Sequence, residues 1–177
     1  MKTAGKNHYE QAFEAYLSVN SVVYSRIRQE SRFCWKERKI KSFDYFVRLA
    51  NGPHMALEVK GRSFYGKTLD GLKGAQSWVS ADDIEGLDRW LCVSQDIQAA
   101  GFIFAYLIKR ADFDGNGAEI FEFDGRYYAF YYVDFNRYCN SMKRRSSSWR
   151  TVYMPAASFR QAAVETSAIL RPDDSRF

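Results

Sequence analysis

Apolar positions in "NHYEQAFEAYLSV" fall at Tyr9, Ala12, Phe13, Tyr16 and Leu17, the i, i+3, i+4, i+7, i+8 spacing that lines one side of a helix. Glu10 lies beside Leu17 on the edge of that stripe, at the rim of the core, and Glu14 lies farther out. "SVVYSRI" reads as a short strand, and a charged connector follows from Arg28 to Lys41. The runs "FDYFVRL" and "MALEVKG" are strand-like and flank Asn51-Gly52-Pro53, a turn signal that predicts an antiparallel hairpin. After a link containing Gly61, Gly66, Gly71 and Gly74, the segment "SADDIEGLDRWLCVSQDI" opens with Ser80 and Asp83 in capping-box spacing. Ile84, Leu87, Leu91 and Trp90 give it a helical stripe. "GFIFAYLI" is long enough for one buried strand and too short for a helix. A strand, a helix and a buried strand in succession predict a right-handed crossover between parallel strands. "AEIFEFDGRYYAFYYV" then reads as two strands around Asp124-Gly125, "RTVYM" as a short strand, and Ala157 to about Ile169 as a final helix, with "RPDDSRF" expected to fray.

The side-chain alternation of the hairpin is where chemistry enters. Along "MALEVKGR" Glu58 and Lys60 share a face with Ala56, while Leu57 and Val59 point the other way. A turn centred on Asn51 or Gly52 makes opposed residue numbers sum to 102 or 104, which sets Asp44 opposite Glu58 or Lys60. Two carboxylates crowded in a partly buried cleft repel unless a cation shares them. Lys60 supplies one charge, and hard oxygen ligands with open positions suit magnesium or manganese for the rest. An ExK triplet alone would fit an ordinary solvated sheet face. Asp44 across the hairpin and Glu10 on the preceding helix are the features that argue for a site.

Length and composition bound the reading. At 177 residues, 46% hydrophobic and 27% charged, the chain can bury roughly two-thirds of its unfolded surface and needs no disulfide or structural metal to fold. Cys34, Cys92 and Cys139 are odd in number and widely spaced, which fits core or near-core thiols in a reducing cytoplasm. With no apolar run long enough to cross a bilayer and no signal-type start, the expectation is a cytoplasmic chain without a membrane partner. The net charge is +5, from 26 basic and 21 acidic residues. The basic residues cluster in two places: Arg26, Arg28, Arg32, Lys36, Arg38, Lys39 and Lys41 between Arg26 and Lys41, against Glu30 and Glu37, and Lys143, Arg144, Arg145 and Arg150 in "KRRSSSWR". Such clusters suit a polyanion.

Helix glutamate, then aspartate, then ExK, laid over helix, three strands, helix and strand, resembles the PD-(D/E)xK nuclease superfamily, nearest to archaeal Holliday junction resolvases and restriction-like endonucleases. The likeness covers residues 8–108. Phe43 stands where that pattern has proline, and Asp83 and Glu85 are acidic where a glutamine is usual. "HYEQAFE", with "KSFD", "VKGR" and "GLDRW", also looks like a small bacterial group named HYExAFE, whose name brings no activity with it.

The nuclease resemblance implies an α/β fold with a restriction endonuclease-like core at 8–108 in a mixed central sheet. Residues 109–177 would extend the core by an aromatic hairpin, a short strand and a C-terminal helix, all within one domain. It implies that Asp44, Glu58 and the backbone carbonyl of Val59 hold Mg2+ or Mn2+, and that Glu10 orients water or completes a second metal site. Lys60 would position or deprotonate the attacking water and stabilise charge on the phosphoryl oxygens. Arg62 would clamp a phosphate, and Arg38, Lys39, Lys41, Lys143, Arg144, Arg145 and Arg150 would hold the flanking backbone. The implied activity is metal-dependent endonucleolysis of nucleic acid, DNA in preference to RNA, by a homodimer. The alternative is a catalytically silent module of the same fold that binds nucleic acid or a protein.

Three other signals point elsewhere. "DFDGNGAEI" begins like a calcium loop, but Phe123 stands where a bidentate glutamate is required, so a polar turn is expected. His8 and His54 are the only histidines, and His8 reads as a helix-start or packing residue. The aromatic side chains are expected mostly in core and hairpin packing.

Overall fold

A computed structural model describes the backbone of residues 7–27, 34–35 and 38–170, and the side chains of 7–27 and 40–170. Arg28, Arg32, Lys36 and the "RPDDSRF" tail lie outside the described residues, as do the side chains of Cys34, Arg38 and Lys39.

Helix α1, His8–Val19, starts where the Asn7 side chain accepts the Tyr9 N–H, and it buries Ala12, Phe13, Tyr16 and Leu17 as its periodicity predicts. The strands that follow are β1 (Val23–Arg26), the two-residue β2 (Cys34–Trp35) and β3 (Arg38–Lys39), β4 (Tyr45–Arg48) and β5 (His54–Phe64). β4 and β5 form the predicted antiparallel hairpin, with Tyr45 opposite Leu57 and Phe46 opposite Ala56, so the sum of 102 is the observed register. β5 runs three residues past the "MALEVKG" run, to Phe64. At Gly61 the Tyr9 ring of α1 lies where a β-carbon would stand, 2.2 Å from its ideal position, so this strand needs glycine for the helix to approach.

β6 (Trp78–Ser80) leads directly into α2 (Ala81–Val93), and α2 into β7 (Ala99–Ile108). β7 pairs parallel to β5 over ten residues, from Met55↔Ala99 to Phe64↔Ile108. β8 (Phe121–Phe123) and β9 (Arg126–Asp134) turn at Asp124 and Gly125, both at positive φ, 52° and 67°, as a tight Asp-Gly hairpin requires. The chain continues through α3 (Phe135–Ser141), β10 (Lys143–Ser146), β11 (Thr151–Tyr153), α4 (Ala156–Ala162), β12 (Val164–Glu165) and α5 (Ser167–Leu170).

The main sheet has the order β1-β4-β5-β7-β9-β12, with β8 added on β9, and its one parallel pair is β5–β7. Alternation sorts its side chains onto two faces. Tyr45, Leu57, Val59, Ile103, Ala105 and Phe130 pack under α1. Phe102, Phe104, Tyr106 and Tyr131 pack with Leu87 of α2, Tyr138 of α3 and Phe159 of α4. The mixed α/β architecture is as expected.

The aromatic hairpin extends the central sheet. β9 pairs with β7 from Gly101↔Asp134 to Leu107↔Tyr128, so this half continues the central sheet. The single C-terminal helix is corrected to α4, β12 and α5. After Ala163 N–H closes α4 on Phe159 C=O, Val164 and Glu165 pair with Tyr132 and Tyr131 of β9. β-branched Val164 and Thr166 fit an extended segment better than a helix, and β12 covers backbone groups that β9 would otherwise leave open. A second sheet, β10-β11-β6, was not foreseen.

Candidate active site

Asp44 stands one residue before β4, where the ladder with β5 stops. Its backbone N–H donates to Leu57 C=O at 3.1 Å, and its Oδ2 accepts the Val59 N–H at 2.8 Å. The observed register therefore brings Asp44 and Glu58 together on neighbouring strands, on the face that α2 covers. Glu58 is only 5% exposed. Its Oε1 accepts Lys60 Nζ at 2.8 Å and Lys41 Nζ at 3.1 Å.

Asp83 at the start of α2 completes the group. It is buried and bonds both ammonium groups, Lys60 Nζ to Oδ2 at 2.8 Å and Lys41 Nζ to Oδ1. It also closes the predicted capping box. Ser80 N–H donates to Asp83 Oδ2 at 2.8 Å, and Asp83 N–H donates to Ser80 Oγ at 3.2 Å. One carboxylate thus caps a helix and anchors Lys60. Lys41 arrives from the connector, which docks on α2 where Trp90 Nε1 donates to Lys41 C=O at 3.0 Å. A cleft of about 410 Å³ opens beside it, lined by Ile40, Lys41, Asp82, Glu85, Gly86 and Arg89.

The electrostatics separate the three acids. Burial, then the Glu58 charge, push the Asp44 carboxyl up to about 7, against the Val59 N–H and Lys60, which pull it down. Burial raises Glu58 as well, opposed by Lys60 and Lys41. Burial acts upward on Asp83 too, but Lys60 and Lys41 overcome it and hold that carboxyl far below its ordinary range. Burial works against the charge on Lys41, and Glu58 and Asp83 more than offset it, leaving its pKa well above the usual lysine value. Three acids face two ammonium groups, and the uncompensated charge falls on Asp44.

The remaining expected residues divide. Glu10 is not in the cluster: its carboxylate pairs with Arg26 Nη2 at 2.7 Å, although its charge still contributes to the rise at Asp44. Val59 lies between Asp44 and its β7 partner Ile103. Arg62 does not extend as a free clamp. Its guanidinium lies 3.7 Å from the centre of the Trp78 ring and donates to the carbonyls of Gly61 and Trp78, and its buried Nε has no partner. Lys143, Arg144 and Arg145 are exposed on β10. Arg150 is held on α2 by Asp82 at 3.1 Å and Glu85 at 2.9 Å. Lys41, expected on the flanking backbone, is instead inside the network.

Asp83 is the residue that sequence reasoning missed as a site group, since its capping-box spacing predicted a helix start and nothing more. His8 packs as expected, with Nδ1 2.9 Å from the Tyr128 hydroxyl. Cys92 is corrected from core to surface: it is exposed on α2. Cys139 is half-buried, and burial pushes its thiol up to about 11.

Among the described residues no three side chains of His, Cys, Asp and Glu are gathered closely enough to hold a metal ion. Two carboxylates are nevertheless adjacent, and burial together with the Glu58 charge works against ionisation of Asp44. Asp44 and Glu58 are the hard oxygen donors that could hold a small divalent cation there. No family model and no curated protein matches the chain.

Proposed function

We propose that the protein hydrolyses phosphodiester bonds in nucleic acid, DNA in preference to RNA, with Mg2+ or Mn2+ held by Asp44 and Glu58. The observation that carries this reading is the pairing of those two carboxylates, Glu58 buried and Asp44 half-buried, at the end of the β4–β5 ladder, with a lysine two residues along the same face. A divalent ion there supplies a more acidic water and offsets the charge that builds on the phosphate. Lys60, fixed from both sides by Glu58 and Asp83, holds a preorganised positive charge toward a phosphoryl oxygen, which costs no reorganisation as the reaction proceeds. Asp83 is a positioning residue, because it acts through Lys60 and Lys41. Glu10, paired with Arg26, borders the site and completes no ligand set by itself.

The silent-module alternative also has an observation behind it. Both lysines are already tied to two carboxylates, which is how a purely structural network would be built. Incubating plasmid, single-stranded and branched DNA with Mg2+ or Mn2+ separates the two. The nuclease reading expects cleavage by the parent and none by Asp44→Ala or Lys60→Ala. Cleavage that survives both substitutions rejects the site, and absence of cleavage with retained salt-sensitive binding supports the module.

A further inference from the structure

The second sheet stands beside the acidic cluster and shares its framework. β6 ends at Ser80, the cap that Asp83 closes, and its Trp78 carries the Arg62 guanidinium. Cross-strand register places Lys143, Tyr153 and Trp78 on one face, and Arg144, Val152 and buried Val79 on the other. A register shift between Arg144 and Ser146 makes Arg145 the extra residue, and its guanidinium also lies over Trp78, 5.0 Å from the ring centre. On one face of neighbouring β5, Glu58, Lys60 and Arg62 therefore lead from the carboxylates to Trp78, and from there to Arg145 and Lys143.

The tip of the β10–β11 hairpin adds an aromatic. Trp149 is 81% exposed, the largest exposure among the big hydrophobic side chains of the described residues. The tip is not loosely attached. Arg150 C=O accepts the Ala81 N–H at 2.7 Å, its guanidinium reaches Asp82 and Glu85 on α2, and Ser146 Oγ accepts the Trp149 N–H at 3.2 Å. An indole kept in water at a braced turn is an expensive feature for a face with no partner, and no acidic residue occurs between Lys143 and Tyr153.

We propose that this sheet is a docking surface for single-stranded or locally unpaired nucleic acid, with Trp149 stacking on an exposed base and Lys143 and Arg145, which share the Trp78 face, holding phosphates. A base inside a duplex already stacks on both neighbours, so only an unpaired or splayed base gains from the indole, whereas phosphates attract the basic strand in either form. The inference deepens the nuclease reading by naming the form of substrate, and it rests on that reading only in taking the partner to be nucleic acid.

The test is fluorescence anisotropy in EDTA, where no cleavage is required, with labelled oligothymidylate and a duplex of equal length. The parent is compared with Trp149→Ala, Trp149→Phe and Lys143→Ala, all checked for an unchanged melting transition. Trp149→Ala is expected to weaken the single strand by about tenfold or more and to leave the duplex unchanged, with Trp149→Phe recovering most of the loss. Lys143→Ala is expected to weaken both forms alike and to reduce the log–log salt slope by about one. Equal single-strand affinity of parent and Trp149→Ala overturns the proposal. So does an equal loss on both forms, or a parent that binds polyglutamate and neither nucleic acid. A protein that fails to cut in Mg2+ yet keeps the Trp149-dependent preference removes the nuclease reading and leaves this surface standing.

Discussion

Asp44, Glu58 and Asp83 are three acids on one side of a sheet, and their partners decide what each can do. Asp83 has two ammonium groups and a capping N–H, so it stays ionised. Asp44 has the Val59 N–H and a neighbouring Glu58 charge, and burial takes it up to about 7. A carboxyl whose pKa rises on folding holds its proton more tightly in the folded state. Its contribution to stability is complete below the unfolded value and is lost as pH climbs through 7. Glu58, also raised, acts in the same direction, while the contribution of Asp83 is lost only under acid conditions below this window. Calorimetry should therefore find the parent melting on the order of 5 °C higher at about pH 5 than at about pH 8. Asp44→Asn should flatten that dependence and melt higher than the parent at the alkaline end. Added Mg2+ should raise the parent's Tm at alkaline pH and leave the Asn variant unmoved, because a ligand stabilises only the state that binds it. The lysines differ in the same experiment. Lys60 is 15% exposed and Lys41 40%, so Lys60→Met, which strips a cation from buried Glu58 and Asp83, should cost about 3 kcal/mol or more by urea unfolding. Lys41→Met, screened by water, should cost about 1 kcal/mol.

Elements that carry their own pattern were readable in the sequence, and those defined by a partner were not. The stripe of α1, the Asn51-Gly52 and Asp124-Gly125 turns and the buried run of β7 each announce themselves locally. The turn narrowed the hairpin register to two, with Asp44 opposite Glu58 or Lys60, and the structure takes the one that opposes it to Glu58. β6, β10 and β12 are two to four residues long and exist because another strand offers backbone groups to pair with, a fact no local window contains. Asp83 was missed as a site group, and Lys41 was expected only along the flanking backbone, for the same reason, since a docked connector and a helix start become neighbours of β5 only in three dimensions. The start of α2 shows how closely element and site are tied. Ser80→Ala removes the cap, which alone costs about 1 kcal/mol. Because Asp83 Oδ2 is shared between Ser80 N–H and Lys60, the substitution should also loosen the lysine. Urea unfolding should report the stability loss, and cleavage under Mg2+ should fall further than the same loss would cause at a remote helix cap. Gly61→Ala is the test of the other face. A β-carbon there meets the Tyr9 ring, so it should displace α1 and destabilise by about 1–3 kcal/mol through overpacking.

At the scale of the whole molecule, the strand that joins everything is β7. It pairs with β5 on one side and β9 on the other, and its residues from Ala100 to Leu107 are all buried. Phe102, Phe104 and Tyr106 belong to the core beneath α2, α3 and α4, whereas Ile103, Ala105 and Leu107 belong to the core beneath α1. Neither core can be dismantled without disturbing the strand that carries the other. The acidic cluster on β5 sits next to β7, with Glu58 opposite Phe102 and Lys60 opposite Phe104. If the two cores depend on one sheet in this way, they must melt together. Ile103→Ala and Phe104→Ala, cavities on opposite faces, should each cost about 2–5 kcal/mol. In each variant, loss of far-ultraviolet helix signal and loss of near-ultraviolet aromatic signal should shift together in one urea transition. A variant in which one signal moves while the other keeps the parent midpoint would show that the two faces open separately. The shared sheet would then not be what couples α1, the acidic cluster and the β10–β11 wing.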